Sequence, residues 1–182
     1  MSGVFLRKKF SDIDLSDSFF DSLKNDYIEF PTWFQKKSDS GDYAFVFFDE
    51  YGIGAFVYIK KEYSESIILT NNTILPPTNR IKIGTFKFDK RLSGWHTGER
   101  VLTLILQHWQ KLNDFDEIYI TIFDKYHALI NLITRFGFVR VGTKNTNGRN
   151  EGVYILTKRS GQKNLDECLT NGVENVCDII ID

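Results

Sequence analysis

The sequence predicts an α/β (α+β) fold in which helices flank a sheet of about seven strands. The chain has 182 residues, a length that suits one domain able to bury a core. Its 16 Phe and 8 Tyr predict an aromatic core and a folded chain rather than a disordered one. Runs with strand-like composition alternate with segments whose apolar residues recur every three or four positions, which is the spacing of helices.

The first part of the chain is predicted to hold one strand and two short helices. Residues 4–10 form the strand. Asp and Ser side chains in residues 12–16 provide the caps of the helix that follows. Residues 31–37 form a second helix with Pro31 in its first turn, where a missing N–H costs nothing. Residues 38–42 are expected to be a loop.

The next segments predict a β-hairpin. Residues 43–48 and 54–60 are aromatic and β-branched runs joined by a short turn-forming sequence. Residues 67–69 could add a further strand. Residues 71–79, which include two consecutive prolines, are predicted to be a turn-rich excursion.

The strand that begins at Ile81 and ends at Phe88 changes face along its length. Ile81 and Ile83 set one alternation, whereas Phe86 and Phe88 fall in the opposite phase. One inserted residue near Gly84 would cause this change, and a glycine inside a strand often marks such a β-bulge. A strand buried on both faces would give the same pattern, because alternation then means little. Both interpretations stay open.

A glycine-bearing loop follows this strand and leads into a long helix. The loop is residues 93–98, and the helix that it opens ends near Asn113. Apolar residues recur along one face of this helix, at Val101, Leu102, Ile105, Leu106, Trp109 and Leu112. The first N–H groups of a helix lack internal partners and carry a partial positive charge, so this segment predicts a site for an anionic ligand. It has neither the lysine of a nucleoside-triphosphate P-loop nor the three glycines of a dinucleotide fingerprint.

The remaining elements are a strand, a helix and a closing hairpin. Residues 117–123 are predicted to be the strand and residues 126–136 the helix, while residues 138–142 and 152–157 form the hairpin. We expect one domain over residues 1–160.

An acidic C-terminal extension follows over residues 161–182. Its apolar residues recur at helical spacing, which is typical of an amphipathic helix. This helix could cover the sheet, mediate a homodimer or begin a further domain.

Charge and cysteine content exclude several classes of function. The net charge is −1 with both signs interspersed, so the chain shows no strong nucleic-acid signal. Cys168 and Cys177 form neither a metal-ligand spacing nor a disulfide framework, and we expect no metal. No apolar stretch is long enough for a signal peptide or a membrane span, which predicts no membrane partner and a cytoplasmic location.

These features together resemble the GNAT superfamily of acetyl-CoA-dependent N-acyltransferases, of which the chain would be a divergent member. The resemblance extends up to about Thr157. It is most specific in the bulged strand, the loop at residues 93–98, the strand near residue 118 and residues 132–138. It implies an acyl-CoA N-acyltransferase-like fold with a central, mixed, mostly antiparallel twisted sheet. It also implies an N-acetyltransferase that takes acetyl-CoA as co-substrate and acetylates a primary amine.

The resemblance also implies which residues bind acetyl-CoA. The backbone of Phe86, Lys87 and Phe88 would bind the pantetheine arm. The amide of Phe88 would donate a hydrogen bond to the thioester oxygen as the amine attacks. The pyrophosphate would lie on the loop amides of Gly94, Trp95, His96, Thr97, Gly98 and Glu99.

The chain departs from the family pattern at three positions. Ser93 stands where the family has Arg or Gln, and His96 stands at the first Gly place, so only Gly98 matches. His96 could still donate a hydrogen bond to a phosphate oxygen. Ile133 occupies the place of the tyrosine that protonates the leaving thiolate in many family members, and isoleucine cannot donate a proton.

Two residues are candidates for the missing general acid. Tyr126 and His127 lie at the start of the predicted helix that carries Ile133, and either side chain could donate a proton. An alternative is a catalytically degenerate module that keeps the fold and acts through CoA binding or a protein partner. The acceptor amine is open between a small molecule, a protein N-terminus, a lysine and an aminoacyl-tRNA.

Overall fold

A computed structural model describes residues 3–94 and 96–158 of the chain. The described residues divide into two compact units. Unit 1 comprises residues 3–58, 85–94, 96 and 97, and unit 2 comprises residues 59–84 and 98–158. Trp95 and the predicted extension over residues 161–182 lie outside the described residues. The predicted domain boundary near residue 160 therefore stays a prediction.

Seven strands and four α-helices occur among the described residues. The strands are β1 (Val4–Lys9), β2 (Tyr43–Asp49), β3 (Gly52–Ile68), β4 (Ile74–Phe88), β5 (Glu117–Ile122), β6 (Val139–Thr146) and β7 (Arg149–Thr157). The helices are α1 (Asp21–Asp26), α2 (Phe30–Asp39), α3 (Thr97–Gln110) and α4 (His127–Arg135). The same residues include three short 3₁₀ helices. Phe10–Asp12 follows β1, Ser18–Phe20 directly precedes α1, and Lys90–Leu92 follows β4. No helix in this part of the chain is long and apolar enough to cross a membrane.

The strands form one mixed sheet in the order β1-β2-β3-β4-β5-β7-β6. Neighbours pair antiparallel in β1–β2, β2–β3, β5–β7 and β6–β7. β4 and β5 pair in parallel over Arg80–Ile83 and Glu117–Ile120, and α3 lies between them in sequence, as a parallel connection requires. The predicted α/β class and the mostly antiparallel sheet of seven strands are confirmed.

Aromatic side chains build the core of unit 1. The ring of Phe10 lies 4.8 Å from that of Phe34 and 5.6 Å from that of Trp33, both on α2. It also lies 5.8 Å from the ring of Phe56 and 5.5 Å from that of Tyr58, both on β3. These edge-to-face arrangements are favourable for aromatic pairs. The aromatic composition of the sequence thus becomes a helix-on-sheet core.

The core of unit 2 uses the apolar face predicted for the long helix. Its buried members on α3 include Val101, Leu102, Ile105, Leu106 and Trp109. The Trp109 indole N–H donates a hydrogen bond of 2.9 Å to the carbonyl oxygen of Phe115. This bond satisfies the buried polar group of a side chain that is otherwise fully packed.

The turn-rich excursion predicted for residues 71–79 is wrong, because most of these residues belong to β4. β3 continues without interruption to Ile68, and β4 already begins at Ile74, so Pro76 and Pro77 lie inside a strand. Pairing with β5 begins at Arg80, so the prolines precede this ladder and need not donate to it. The actual turn is short, and Asn72 adopts a left-handed conformation with φ of 62° within it.

The closing hairpin is longer than predicted. β6 continues to Thr146, and β7 already begins at Arg149. Asn147 and Gly148 join them, with φ of 51° and 77°. Two consecutive positive φ angles at Asn-Gly are typical of a type I′ hairpin turn, whose twist matches that of the strands.

Candidate functional site

At the C-terminal end of β4, Phe86 and Phe88 contact each other, whereas Lys87 contacts Ser22 and Phe19. The rings of Phe86 and Phe88 meet edge to face with centroids 6.2 Å apart. The Lys87 ammonium donates a hydrogen bond to the Ser22 hydroxyl and lies 4.8 Å from the Phe19 ring. Burial lowers the pKa of Lys87, and nearby carboxylates oppose this shift. The side chain of Lys87 is therefore held by the segment around α1, and any contact of this residue with a cofactor is left to its backbone.

The end of β4 continues beyond its pairing with β5. The parallel pairs run from Arg80 with Glu117 to Ile83 with Ile120, whereas β4 itself runs to Phe88. A strand segment beyond such a ladder can offer N–H and C=O groups to a ligand. The bulge expected near Gly84 stays a prediction.

A short 3₁₀ helix anchors the chain after β4 within unit 1. The Asp89 N–H donates to the Gly54 carbonyl oxygen at 2.8 Å, and the Asp89 carboxylate accepts from the Arg91 N–H at 2.9 Å. The Arg91 guanidinium donates to the Asp49 carboxylate at 2.5 Å. These bonds fix the entry to the loop at residues 93–98.

The loop backbone adopts left-handed conformations at two positions. Gly94 has φ of 84° and His96 has φ of 55°. Glycine adopts this region without strain, and a histidine does not. A Cβ atom at Gly94 would meet nothing within 4 Å. The position that the resemblance assigns to the family's first Gly therefore has a backbone conformation that favours glycine, although His96 occupies it.

The helix α3 begins at Thr97, two positions before the predicted start at Glu99. Its first-turn amides therefore include those of Thr97, Gly98 and Glu99, which were predicted to bind pyrophosphate. The Glu99 carboxylate accepts a hydrogen bond of 2.8 Å from the Arg135 guanidinium at the end of α4. This ion pair reduces the repulsion that Glu99 would exert on an anion. The role of these amides stays a prediction.

The structure places the two candidate acids at the start of α4. Tyr126 is the residue before the helix and is half-buried, with its ring 6.2 Å from the Phe123 ring. The Lys125 ammonium lies 5.1 Å from the Tyr126 ring centre. His127 is exposed. Ile133 is 1% exposed and belongs to the apolar face of α4.

Unit 2 contains a buried polar cluster that was not predicted from the sequence. The Tyr119 hydroxyl on β5 donates to Glu62 on β3 at 2.7 Å, and the Lys60 ammonium lies 3.2 Å from the other carboxylate oxygen. Glu62 is 5% and Tyr119 2% exposed. Lys82 on β4 lies with its ammonium 5.8 Å from the Tyr119 ring. The sequence does show Lys82 between Ile81 and Ile83, but alternation alone suggests a solvent-facing position.

The described residues contain no group of three or more His, Cys, Asp or Glu side chains that could hold a metal ion.

Together, the sheet order and the β4–loop–α3 arrangement are those of the acyl-CoA N-acyltransferase-like α/β fold. No protein-family model matches the sequence, and no curated protein matches it. Solved structures do match. The match to Arabidopsis thaliana NAA60 in complex with acetyl-CoA has 13% identity and a TM-score of 0.62, over 86% of this chain and 99% of that one.

Two further structures show the same fold. An N-acetyltransferase from Staphylococcus aureus Mu50 has 14% identity and a TM-score of 0.61, over 86% of this chain and 99% of that one. Arabidopsis thaliana Naa50 in complex with the bisubstrate analogue CoA-Ac-MVNAL has 17% identity and a TM-score of 0.54, with the same coverage of 86% and 99%. The chain has the fold of the GNAT N-acetyltransferases, and the predicted resemblance is confirmed at the level of the fold.

Proposed function

We propose that the chain binds acetyl-CoA and transfers the acetyl group to a primary amine. The observation that carries this proposal is the loop at residues 93–98, which reaches the first turn of α3 through left-handed conformations at Gly94 and His96. Such a loop presents successive N–H groups to an anion. The NAA60 structure with acetyl-CoA, which shares the fold, supports the choice of ligand.

The proposed roles follow the backbone. Residues 86–88 bind the pantetheine arm, and the Phe88 N–H donates to the thioester oxygen as negative charge develops there. The loop amides bind the pyrophosphate. The amine attacks the carbonyl carbon, the carbon–sulfur bond breaks, and the thiolate takes a proton. Tyr126, which is half-buried, is the first proposed source of that proton, and His127, which is exposed, is the second.

Calorimetry with two ligands tests the binding step. We expect acetyl-CoA to bind, and we expect S-acetylpantetheine, which lacks the pyrophosphate, to bind at least about tenfold more weakly. Equal affinity for the two ligands would contradict the proposal that the loop at residues 93–98 binds the pyrophosphate. A failure to bind acetyl-CoA at millimolar concentration would remove the proposal itself.

The acceptor is a primary amine whose class the proposal leaves open. The Naa50 structure holds a CoA-acetyl-peptide analogue, so peptides with free N-termini are the first acceptors to test, followed by small amines, lysine peptides and aminoacyl-tRNA. The proposal includes a cytoplasmic location. It also includes a homodimer as one role for residues 161–182.

A catalytically degenerate module is the second proposed function. The observation that favours it is the buried Ile133 at the position of the family's acid. Release of the CoA thiol across the acceptor panel separates the two functions. Sustained turnover would exclude the degenerate module, whereas acetyl-CoA binding without turnover would favour it.

A further inference from the structure

The two edge strands of the sheet differ in how their outer edges are protected. β6 contains a bulge between Arg140 and Gly142. The Thr143 carbonyl oxygen on β6 accepts hydrogen bonds from the Thr70 N–H at 2.8 Å and from the Thr70 hydroxyl at 2.6 Å. A bulge and a covering loop are two means by which proteins keep an edge strand from pairing with another segment. The outer edge of β6 is therefore protected within unit 2.

The outer edge of β1 has neither form of protection. β1 pairs with β2 in an unbroken register from Val4 to Lys9, and it lies at the end of the sheet order. Among the described residues, no loop backbone donates to β1 or accepts from it. Val4 is 50% and Leu6 38% exposed. A regular edge strand with exposed apolar side chains is a site at which a further strand can be added.

The cations of β1 determine the chemistry of such a strand. Arg7, Lys8 and Lys9 are consecutive, and in the part of the chain that the structure describes none of them forms an ion pair. The Arg7 guanidinium lies 4.2 Å from the Tyr43 ring, and the Lys8 ammonium lies 4.6 Å from the Phe48 ring. Rings on β2 thus position two of the three cations. These charges favour an acidic strand beside β1 and disfavour a basic one.

A segment of matching chemistry occurs in the sequence at residues 178–182, outside the described residues. It reads Asp-Ile-Ile-Ile-Asp. Three consecutive β-branched residues favour a strand, and Asp178 and Asp182 place a carboxylate at each end of the run. One of these carboxylates would therefore lie beside the cations of β1 in either strand direction. The helix predicted for the extension would then end before residue 178.

The chain between β7 and this segment is long enough to reach β1. Lys158 is the last described residue. Residues 159–177 span about 60 Å when extended and about 28 Å when helical. Both lengths exceed the radius of gyration of about 16 Å that is typical of a folded domain with this number of residues. The connection therefore permits pairing within one chain.

We infer that residues 178–182 add a strand to the outer edge of β1 in the same chain. The isoleucines pack beside Val4 and Leu6, and the carboxylates pair with the cations at residues 7–9. The added strand gives the outward N–H and C=O groups of β1 hydrogen-bond partners, and it removes an edge at which a second copy of the chain would otherwise pair. The inference goes beyond the proposed function and does not depend on acetyl-CoA binding.

Cysteine cross-linking in the full chain tests the position of this segment. Leu6→Cys is combined with a cysteine at residue 179, 180 or 181 in turn, after Cys168→Ser and Cys177→Ser. The matched control replaces Leu6→Cys with Val141→Cys on β6, because Val141 is 39% and Leu6 38% exposed. An unpaired tail would reach both positions at similar rates, since tethering alone raises the effective concentration of any two sites.

The expected result is an intrachain disulfide to residue 6. We expect the fastest pair with Leu6→Cys to form at least about tenfold faster than the same pair with Val141→Cys. Residues 179 and 181 should react at similar rates, and residue 180 should react at a different one, because alternate residues of a strand face opposite sides.

Hydrogen exchange in the full chain tests the pairing without cross-links. Ile180→Lys should increase exchange at least about tenfold at the β1 amides that do not bond to β2. Asn171→Lys makes a substitution to the same cation in the extension, outside residues 178–182, and it is the matched control. It should leave the exchange of β1 unchanged.

Charge reversal tests the recognition. Asp178→Lys with Asp182→Lys should increase exchange in β1, because these lysines would lie beside cations. Adding Arg7→Glu with Lys9→Glu to the same chain should restore the protection, since opposite charges then face each other again. An extension that stabilises the protein without contacting β1 would show no such recovery.

Three outcomes would overturn the inference. They are equal cross-linking rates for Leu6→Cys and Val141→Cys, β1 exchange that Ile180→Lys leaves unchanged, and disulfides that form only between chains. The third outcome would assign the segment to a second copy. Calorimetry of the parent chain with acetyl-CoA decides the proposed function separately, so failure of one does not affect the other.

Discussion

Replacing His96 with glycine should stabilise the protein while removing a side chain from the proposed phosphate loop. His96 has φ of 55°, a region that costs a non-glycine residue about 1–2 kcal/mol. Glycine loses about 0.5–1 kcal/mol more conformational entropy on folding. The net gain expected for His96→Gly is therefore roughly 0.5–1 kcal/mol, or about 1–4 °C in melting temperature for a chain of this length.

The same substitution should tighten acetyl-CoA binding. The His96 side chain stands where backbone is proposed to approach phosphate closely, and glycine permits that approach. We expect a gain of several-fold in affinity, measured by calorimetry, together with the higher urea midpoint that the relieved strain predicts.

Asn72→Gly is the matched control, because Asn72 also has a positive φ, of 62°, in a different turn. It should stabilise less, since the short asparagine side chain can form local hydrogen bonds that make this region less costly, and it should leave acetyl-CoA affinity unchanged. An unchanged or lower urea midpoint in His96→Gly would refute the strain argument. Weaker acetyl-CoA binding in His96→Gly would show instead that the imidazole donates to the phosphate.

Three other perturbations probe the framework around the site by urea unfolding. Arg80→Met should lower the free energy of unfolding by about 3 kcal/mol or more, because the buried Arg80 guanidinium donates to a carboxylate and two carbonyl oxygens. Its control is Arg140→Met, at an exposed arginine, which should change the free energy of unfolding by no more than about 0.5 kcal/mol. Gly54→Ala should cost about 1–3 kcal/mol, because the new Cβ would lie 2.7 Å from both a leucine methyl and a phenylalanine ring carbon; a parent-like midpoint would contradict this packing. The Arg91 hydrogen bond lowers the pKa of Asp49, so the stability from this pair is full above the unfolded-state pKa of about 3.9 and is lost as pH falls through the lower folded-state value. Asp49→Asn should therefore flatten the acid limb of the midpoint–pH curve, and an unaltered limb would count against the pair.

Local patterns in the sequence were sufficient for most elements of the fold. The helical spacing from Val101 to Trp109 predicted α3 and its buried face, because helix periodicity and burial are both read from residues a few positions apart. The prediction failed at Pro76 and Pro77, where proline composition suggested a turn. Their strand conformation depends on which neighbour each part of β4 pairs with, and local composition does not contain that information.

The site divides in the same way. The position of the loop at residues 93–98 was predictable, since a strand, glycines and a helix start occur in order along the chain. The left-handed conformation of His96 was not predictable, because a positive φ is uncommon in any residue other than glycine and the surrounding fold imposes it here.

The sequence by itself determined the α/β class, the placement of the proposed acetyl-CoA segment and the presence of an isoleucine, Ile133, where the resemblance predicts an acid. These depend on residue identity and short-range order. Only the tertiary structure brought Glu62, Lys82 and Tyr119 together. The Tyr119 hydroxyl donates a hydrogen bond to the Glu62 carboxylate, and the Lys82 ammonium lies 5.8 Å from the Tyr119 ring. Sheet pairing joins positions that are 57 residues apart in the chain, and the burial that lowers the pKa of Lys82 exists only once those strands have assembled.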